Sequence, residues 1–200
     1  MLSAIQQFRG NMVRARELGR LAAAIAKITT SAIDVSDLWR SQIVLGVSAL
    51  DHFVHELTRL GMIETATGTR PKTDAFVRFQ IPLSAVEDGL AGQVHELWLG
   101  AAIRDKHSWL SFQHPDKIAE AIRLISPIKL WEEVGKMAGL PGQDVKARLE
   151  LVVDRRNKIA HEADMDPINP GFRWPIDEAM ASNALDFIDR VAEAIFNVAA

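Results

Sequence analysis

Residues 147–167 read ARLELVVDRRNKIAHEADMDP, and their periodicity decides the fold class. On a wheel of about 100° per residue, Leu149, Val152, Val153, Ile159, Ala160 and Ala163 share one face, with Arg156 in the middle of it. Asp154, Asn157 and His161 form a separate polar stripe at i, i+3, i+7 spacing. One apolar face and one polar face describe a helix packed in a bundle, expected over about Asp144 to Ala163. Pro167 disfavours its continuation past HEADMD.

The same period runs outward through most of the chain, and alternating β-branched runs are nearly absent. A first helix is expected over about residues 2–28, through Leu2, Ile5, Phe8, Met12 and Leu21. After a connection from Ser31 to Val35, a second runs over about 36–61 on the stripe Ile43, Val47, Leu50, Val54 and Leu57, with Gly61 as its stop. Residues 62–83 hold TATGTRPKT and form an irregular excursion. Helix resumes near Ser84, breaks at Gly89–Gly92 and runs to about Phe112. Pro115 opens the next helix, Ser126–Pro127 closes it, and Lys129 to Leu140 forms a short one. DMDPINPGFRWP is a loop, and the last helix covers about Ile176 to Ala199. The fold expected is all-α, a single domain over residues 1–200 with about seven helices.

Composition narrows the chemistry. The 200 residues are 48% hydrophobic, with 23 Lys+Arg against 26 Asp+Glu and a formal net charge of −3. There is no cysteine and no tyrosine, which excludes disulfides, thiolate metal sites, a cysteine nucleophile and phenol chemistry. General basic coating of nucleic acid is excluded too, so any such binding must come from a local patch. The opening MLSAIQQFRGNMVRARELGR lacks a continuous apolar core of a leader, and no apolar run is long enough to cross a bilayer. A cytoplasmic protein with no membrane partner is expected.

Arg156 is the residue that needs an explanation. Its guanidinium stays charged, and burial without a partner costs several kcal/mol. Three settings satisfy it: snorkelling to the surface, a buried carboxylate, or a site that receives an external anion. Asn157 and His161 are four apart, so the amide is placed to orient the imidazole. Arg156 and His161 are five apart, about 140° around the helix and about 7.5 Å along it. One straight helix does not focus both on one atom. Either the helix frays at His161, or two copies of it face each other. A histidine in a last turn sits at the negative end of the helix dipole, which favours its protonated form.

RRNKIAHEAD resembles the Arg-x4-His signature of HEPN domains, with Arg156, a polar Asn157 directly after it, and His161. With LDHFVHELTRLG at 50–61 and HPDKIAEAIRLI, it is similar more narrowly to the RiboL-PSP-HEPN group, over roughly residues 40–195. Arg155 offers an alternative Arg-x5-His register; Arg156 is preferred because the polar residue follows it. The resemblance implies an all-helical fold that pairs, here as a homodimer through the 144–163 helix, so that two motifs meet in a composite site. It implies a metal-independent endoribonuclease of toxin or phage-defence type, a hydrolase acting on RNA without a cofactor. Arg156, Asn157 and His161 would be catalytic, and the 2′-OH of RNA would attack the adjacent phosphate to leave a 2′,3′-cyclic phosphate. A toxin–antitoxin arrangement would add a partner such as a nucleotidyltransferase-like antitoxin. The alternative is a non-catalytic HEPN module that binds RNA, a nucleotide or a partner protein.

Other clusters have two readings each. Asp51 and His55 form an i, i+4 pair that either supports the motif, as does Asp154 on the polar stripe, or is an ordinary helix flank. His52, His55 and Glu56 have chelating spacing, but only His95 or His107 would be left to supply a third ligand, so no metal centre is expected. Arg155 and Lys158 flank the motif as RNA contacts, and Trp174 either stacks on a base or plugs the core. Arg70, Lys72 and Arg78 in the excursion either touch an RNA backbone or are solvated.

Overall fold

The computed structural model describes residues 1–30 and 33–200. Ser31 and Ala32, part of the expected connection, lie outside the described residues. The helices are α1 (Leu2–Ile28), α2 (Ser36–Ala66), α3 (Asp74–Val77), α4 (Leu83–Leu90), α5 (His95–His107), α6 (Pro115–Arg123), α7 (Leu130–Ala138), α8 (Gly142–Glu162) and α9 (Glu178–Ala199). The fold is all-α. Among the described residues there is no strand, only an isolated bridge between Met165 and Arg173. Among the described residues nine helices stand where about seven are expected, because Gly92 (φ 88°) separates α4 from α5 and α3 adds a single turn.

α2 is the axis of the bundle and packs against α1, α9, α5, α8 and α6. Its stripe meets the apolar face of α1, where the rings of Phe8 and Phe53 lie 5.4 Å apart. Leu149 and Val153 of α8 and Leu185, Ile188 and Ile195 of α9 complete one continuous core. The local signals explain several ends. Pro115 occupies the first turn of α6, where its missing N–H costs nothing. Asp177 caps α9 by accepting the Met180 N–H at 2.7 Å.

Gly61 does not stop α2, which continues to Ala66. A Cβ at Gly61 would lie 2.7 Å from Cγ2 of Ile125, so this glycine admits a neighbouring side chain rather than ending a helix. The excursion therefore starts later than residue 62, and it is fastened to the bundle. Arg70 donates to the carbonyls of Ala199 (2.9 Å) and Ala200 (2.8 Å) and to that of Ile125 (3.3 Å). No helix of the described residues is long and apolar enough to cross a membrane.

Candidate functional site

α8 buries Val145, Leu149 and Val153 against α2, α7 and α9. Arg156 follows Val153 by three positions on the same side and is half-buried. Its Nη1 donates to Asn157 Oδ1 at 3.1 Å, and its Nε is buried without an acceptor. Among the described residues no carboxylate forms an ion pair with Arg156.

The internal carboxylate belongs to the neighbouring arginine. Arg155 Nη2 donates to Asp164 Oδ2 at 2.8 Å and to the carbonyls of Pro175 (3.1 Å) and Trp174 (3.3 Å). Arg40 reaches the same oxygen from α2: its Nε donates to Asp164 Oδ2 at 2.7 Å and its Nη2 to the Trp174 carbonyl at 2.8 Å. Asp164 is 0% exposed and sits at φ 60°, just past Ala163 at φ 51°. Aspartate tolerates this left-handed conformation better than most residues. Its N–H donates to the Lys158 carbonyl (3.0 Å) and its carbonyl accepts the Trp174 N–H (2.9 Å). Arg173 adds an ion pair to Asp37. The loop after α8 is thus pinned to the start of α2, and Arg155 is engaged inside the fold rather than free for RNA. Burial lowers the Arg155 pKa from its ordinary value against the pull of Asp164, with the Arg40 charge adding to the lowering.

The sequence reading missed Arg40 and Asp164. A signal existed: Arg40 extends the stripe Ile43, Val47, Leu50 by one more step of three, so a charge on the buried face of α2 already required a partner.

His161 is exposed in the last turn of α8. It makes no hydrogen bond with Asn157, whose amide oxygen faces Arg156 instead. Asp154 and Lys158 are exposed. The Lys158 ammonium stands 5.6 Å from the Trp174 ring centre. Trp174 is half-buried, its Nε1 lacks an acceptor, and with Ile43, Leu151, Val152, Ile176 and Met180 it lines a groove of about 380 Å³.

Asp51 and His55 are drawn to a different place. Asp51 Oδ1 accepts the Phe112 N–H, and its Oδ2 lies 3.9 Å from His55 Nε2. The His55 ring is 4.4 Å from Phe112 and 6.2 Å from His107. His107 is 3% exposed, with Nδ1 buried and unpartnered. Burial first, then the charges of His55 and Lys106, push its pKa down to about 4. This cluster fastens the connection between α5 and α6. Among the described residues no hydrogen bond or ion pair joins Asp51, His55 or Asp154 to Arg156 or His161. Glu56 is paired with Arg59 (2.7 Å) and Arg104 (3.5 Å). Among the described residues no three His, Asp or Glu side chains are grouped to hold a metal ion.

One chain therefore offers a semi-buried guanidinium braced by an amide, with an imidazole standing apart on the same helix. No protein-family model, curated protein or solved structure matches the chain.

Proposed function

We propose that the chain is a metal-independent endoribonuclease of the HEPN kind, acting as a homodimer in the cytoplasm, of toxin or phage-defence type. The observation that carries this reading is the contrast between two adjacent arginines. Among the described residues Arg155 has a buried carboxylate and Arg156 has none, and the hydrogen bond of Arg156 goes to Asn157. A semi-buried cation without an internal counter-ion is suited to an external anion, and a phosphodiester supplies one.

In the proposed step, one His161 takes the proton from a ribose 2′-OH as the oxygen attacks the adjacent phosphorus. The bond to the 5′ oxygen breaks, and that oxygen takes a proton from water, while His161 returns the proton it took to solvent. The products are a 2′,3′-cyclic phosphate and a 5′-OH. Arg156, held by Asn157, binds the phosphate and stabilises the charge growing on its oxygens. A second copy is required because Arg156 and His161 diverge on a single helix. An antitoxin such as a nucleotidyltransferase-like protein is the partner that a toxin role calls for.

The test is incubation with total RNA in EDTA. Wild type is expected to cleave, and His161→Ala and Arg156→Ala to lose at least about a hundredfold while keeping their helical circular dichroism. Undiminished cleavage by His161→Ala overturns the assignment. RNA or nucleotide binding without cleavage, lost in Arg156→Ala, establishes the non-catalytic module instead.

A further inference from the structure

Like the single-turn α3, α4, a helix of two turns, buries none of its residues. It packs chiefly on α5, through the half-buried Ala85 and Gly89, the latter so close to Trp98 that a Cβ would lie 2.7 Å from its Cε2. The opposite face of α4 carries Leu83, Glu87 and Leu90 at i, i+4, i+7. Leu83 is 74% and Leu90 83% exposed, and across the turn Val94 is 57% and Leu97 62% exposed. Large apolar side chains gathered this way on one short arm mark an interaction surface rather than scattered exposure.

The charge of the arm identifies its partner. From Phe79 to Ile103 the chain holds Glu87, Asp88 and Glu96 and no lysine or arginine. Among the described residues none of the three carboxylates has an ion-pair or side-chain hydrogen-bond partner. Their charge disfavours an RNA strand and an anionic lipid surface. Two copies meeting face to face would set like charges against each other across an isologous contact. An occupant with an apolar stripe and a basic rim satisfies both features. We propose that the α4–α5 arm docks a cationic amphipathic helix of a partner protein, its apolar stripe laid on Leu83, Leu90, Val94 and Leu97 and its lysines or arginines against Glu87, Asp88 and Glu96. This surface is separate from the α8 motif and does not rest on the ribonuclease reading.

The probe is a synthetic helix of about 18 residues, about five turns, with leucine on one face and lysine on the other. Titration of the whole protein is expected to give saturable one-to-one binding that weakens with salt, with amide NMR shifts confined to residues 83–98. The pair Leu90→Ser with Leu97→Ser, and separately the triple Glu87→Gln, Asp88→Asn, Glu96→Gln, each weaken binding at least tenfold. The same peptide with glutamate for lysine does not bind. All these changes are on exposed positions, and unchanged thermal unfolding confirms that the variants are folded. Absence of saturable binding, shifts that map elsewhere, or variants that bind as wild type overturn the proposal. So does a wild-type dimer dispersed by Leu90→Ser, or binding to anionic phosphatidylglycerol vesicles that the leucine variants lose.

Discussion

Two neighbouring arginines on one helix have opposite energetic roles, and that difference is measurable. Arg155 and Arg40 converge on one oxygen of a fully buried Asp164. Removing the carboxylate leaves two guanidiniums facing each other with no counter-charge. Asp164→Asn keeps the tolerance for a left-handed backbone and removes only the charge, so it is expected to lower stability by about 3–5 kcal/mol, read from chemical denaturation. Arg155→Met deletes hydrogen bonds to a charged group and should lower stability by about 2 kcal/mol. Arg156→Met deletes one bond to an amide and an unpartnered buried Nε, and is expected to change stability by less than about 1 kcal/mol. Equal losses from the two methionine variants would refute the structural assignment of Arg155. The helical wheel placed Arg156 on the apolar face but did not show which arginine carries the internal ion pair. That depends on Asp164 in a loop that folds back, which has no period to read.

At the scale of elements, the long helices were legible because each repeats its apolar stripe over many turns. α1, α8 and α9 begin and end within a few residues of the expected places. Boundaries set by tertiary packing were not legible. Gly61 has the sequence look of a stop, yet it is a contact point for Ile125. Gly61→Ala should therefore destabilise the protein, although alanine is the better helix former by about 1 kcal/mol; a raised melting temperature would contradict the packing seen here. The α5–α6 connection gives a second prediction. The buried His107 binds its proton only near pH 4 when folded, against about 6.5 in an unfolded chain. The unfolded state binds the proton first as pH falls, so this residue's contribution is fully present above pH 6.5 and is lost progressively toward pH 4. The loss amounts to up to roughly 3 kcal/mol. Denaturation midpoints measured from pH 7 to pH 4 should fall accordingly, and His107→Leu should flatten that fall. A slope unchanged by His107→Leu would assign the acid sensitivity elsewhere.

For the whole molecule, the decisive question is whether the motif is completed within one chain or between two. Arg156 is half-buried beside the core-facing side of α8, while His161 is exposed in its last turn. With about 140° and about 7.5 Å between them on a regular helix, the two side chains diverge. If two α8 helices meet across a two-fold axis, the Arg156 of one copy can serve the phosphate approached by the His161 of the other. Each variant alone, Arg156→Ala or His161→Ala, then lacks one component in both halves of the cleft and is inactive. Mixed and allowed to exchange subunits, they form a heterodimer in which the Arg156→Ala copy supplies a histidine and the His161→Ala copy supplies an arginine. One complete trans pair results. RNA cleavage in the mixture is expected to recover to roughly a quarter of wild type if subunits exchange at random and heterodimers, half the population, retain one of two equivalent pairs. The measurement is the initial cleavage rate in EDTA against the mixing ratio, with a maximum expected at equal amounts. A mixture no more active than its components, in subunits shown to exchange by sedimentation of differently tagged copies, would place arginine and histidine in one chain. It would then require α8 to unwind at its last turn to bring His161 round to Arg156.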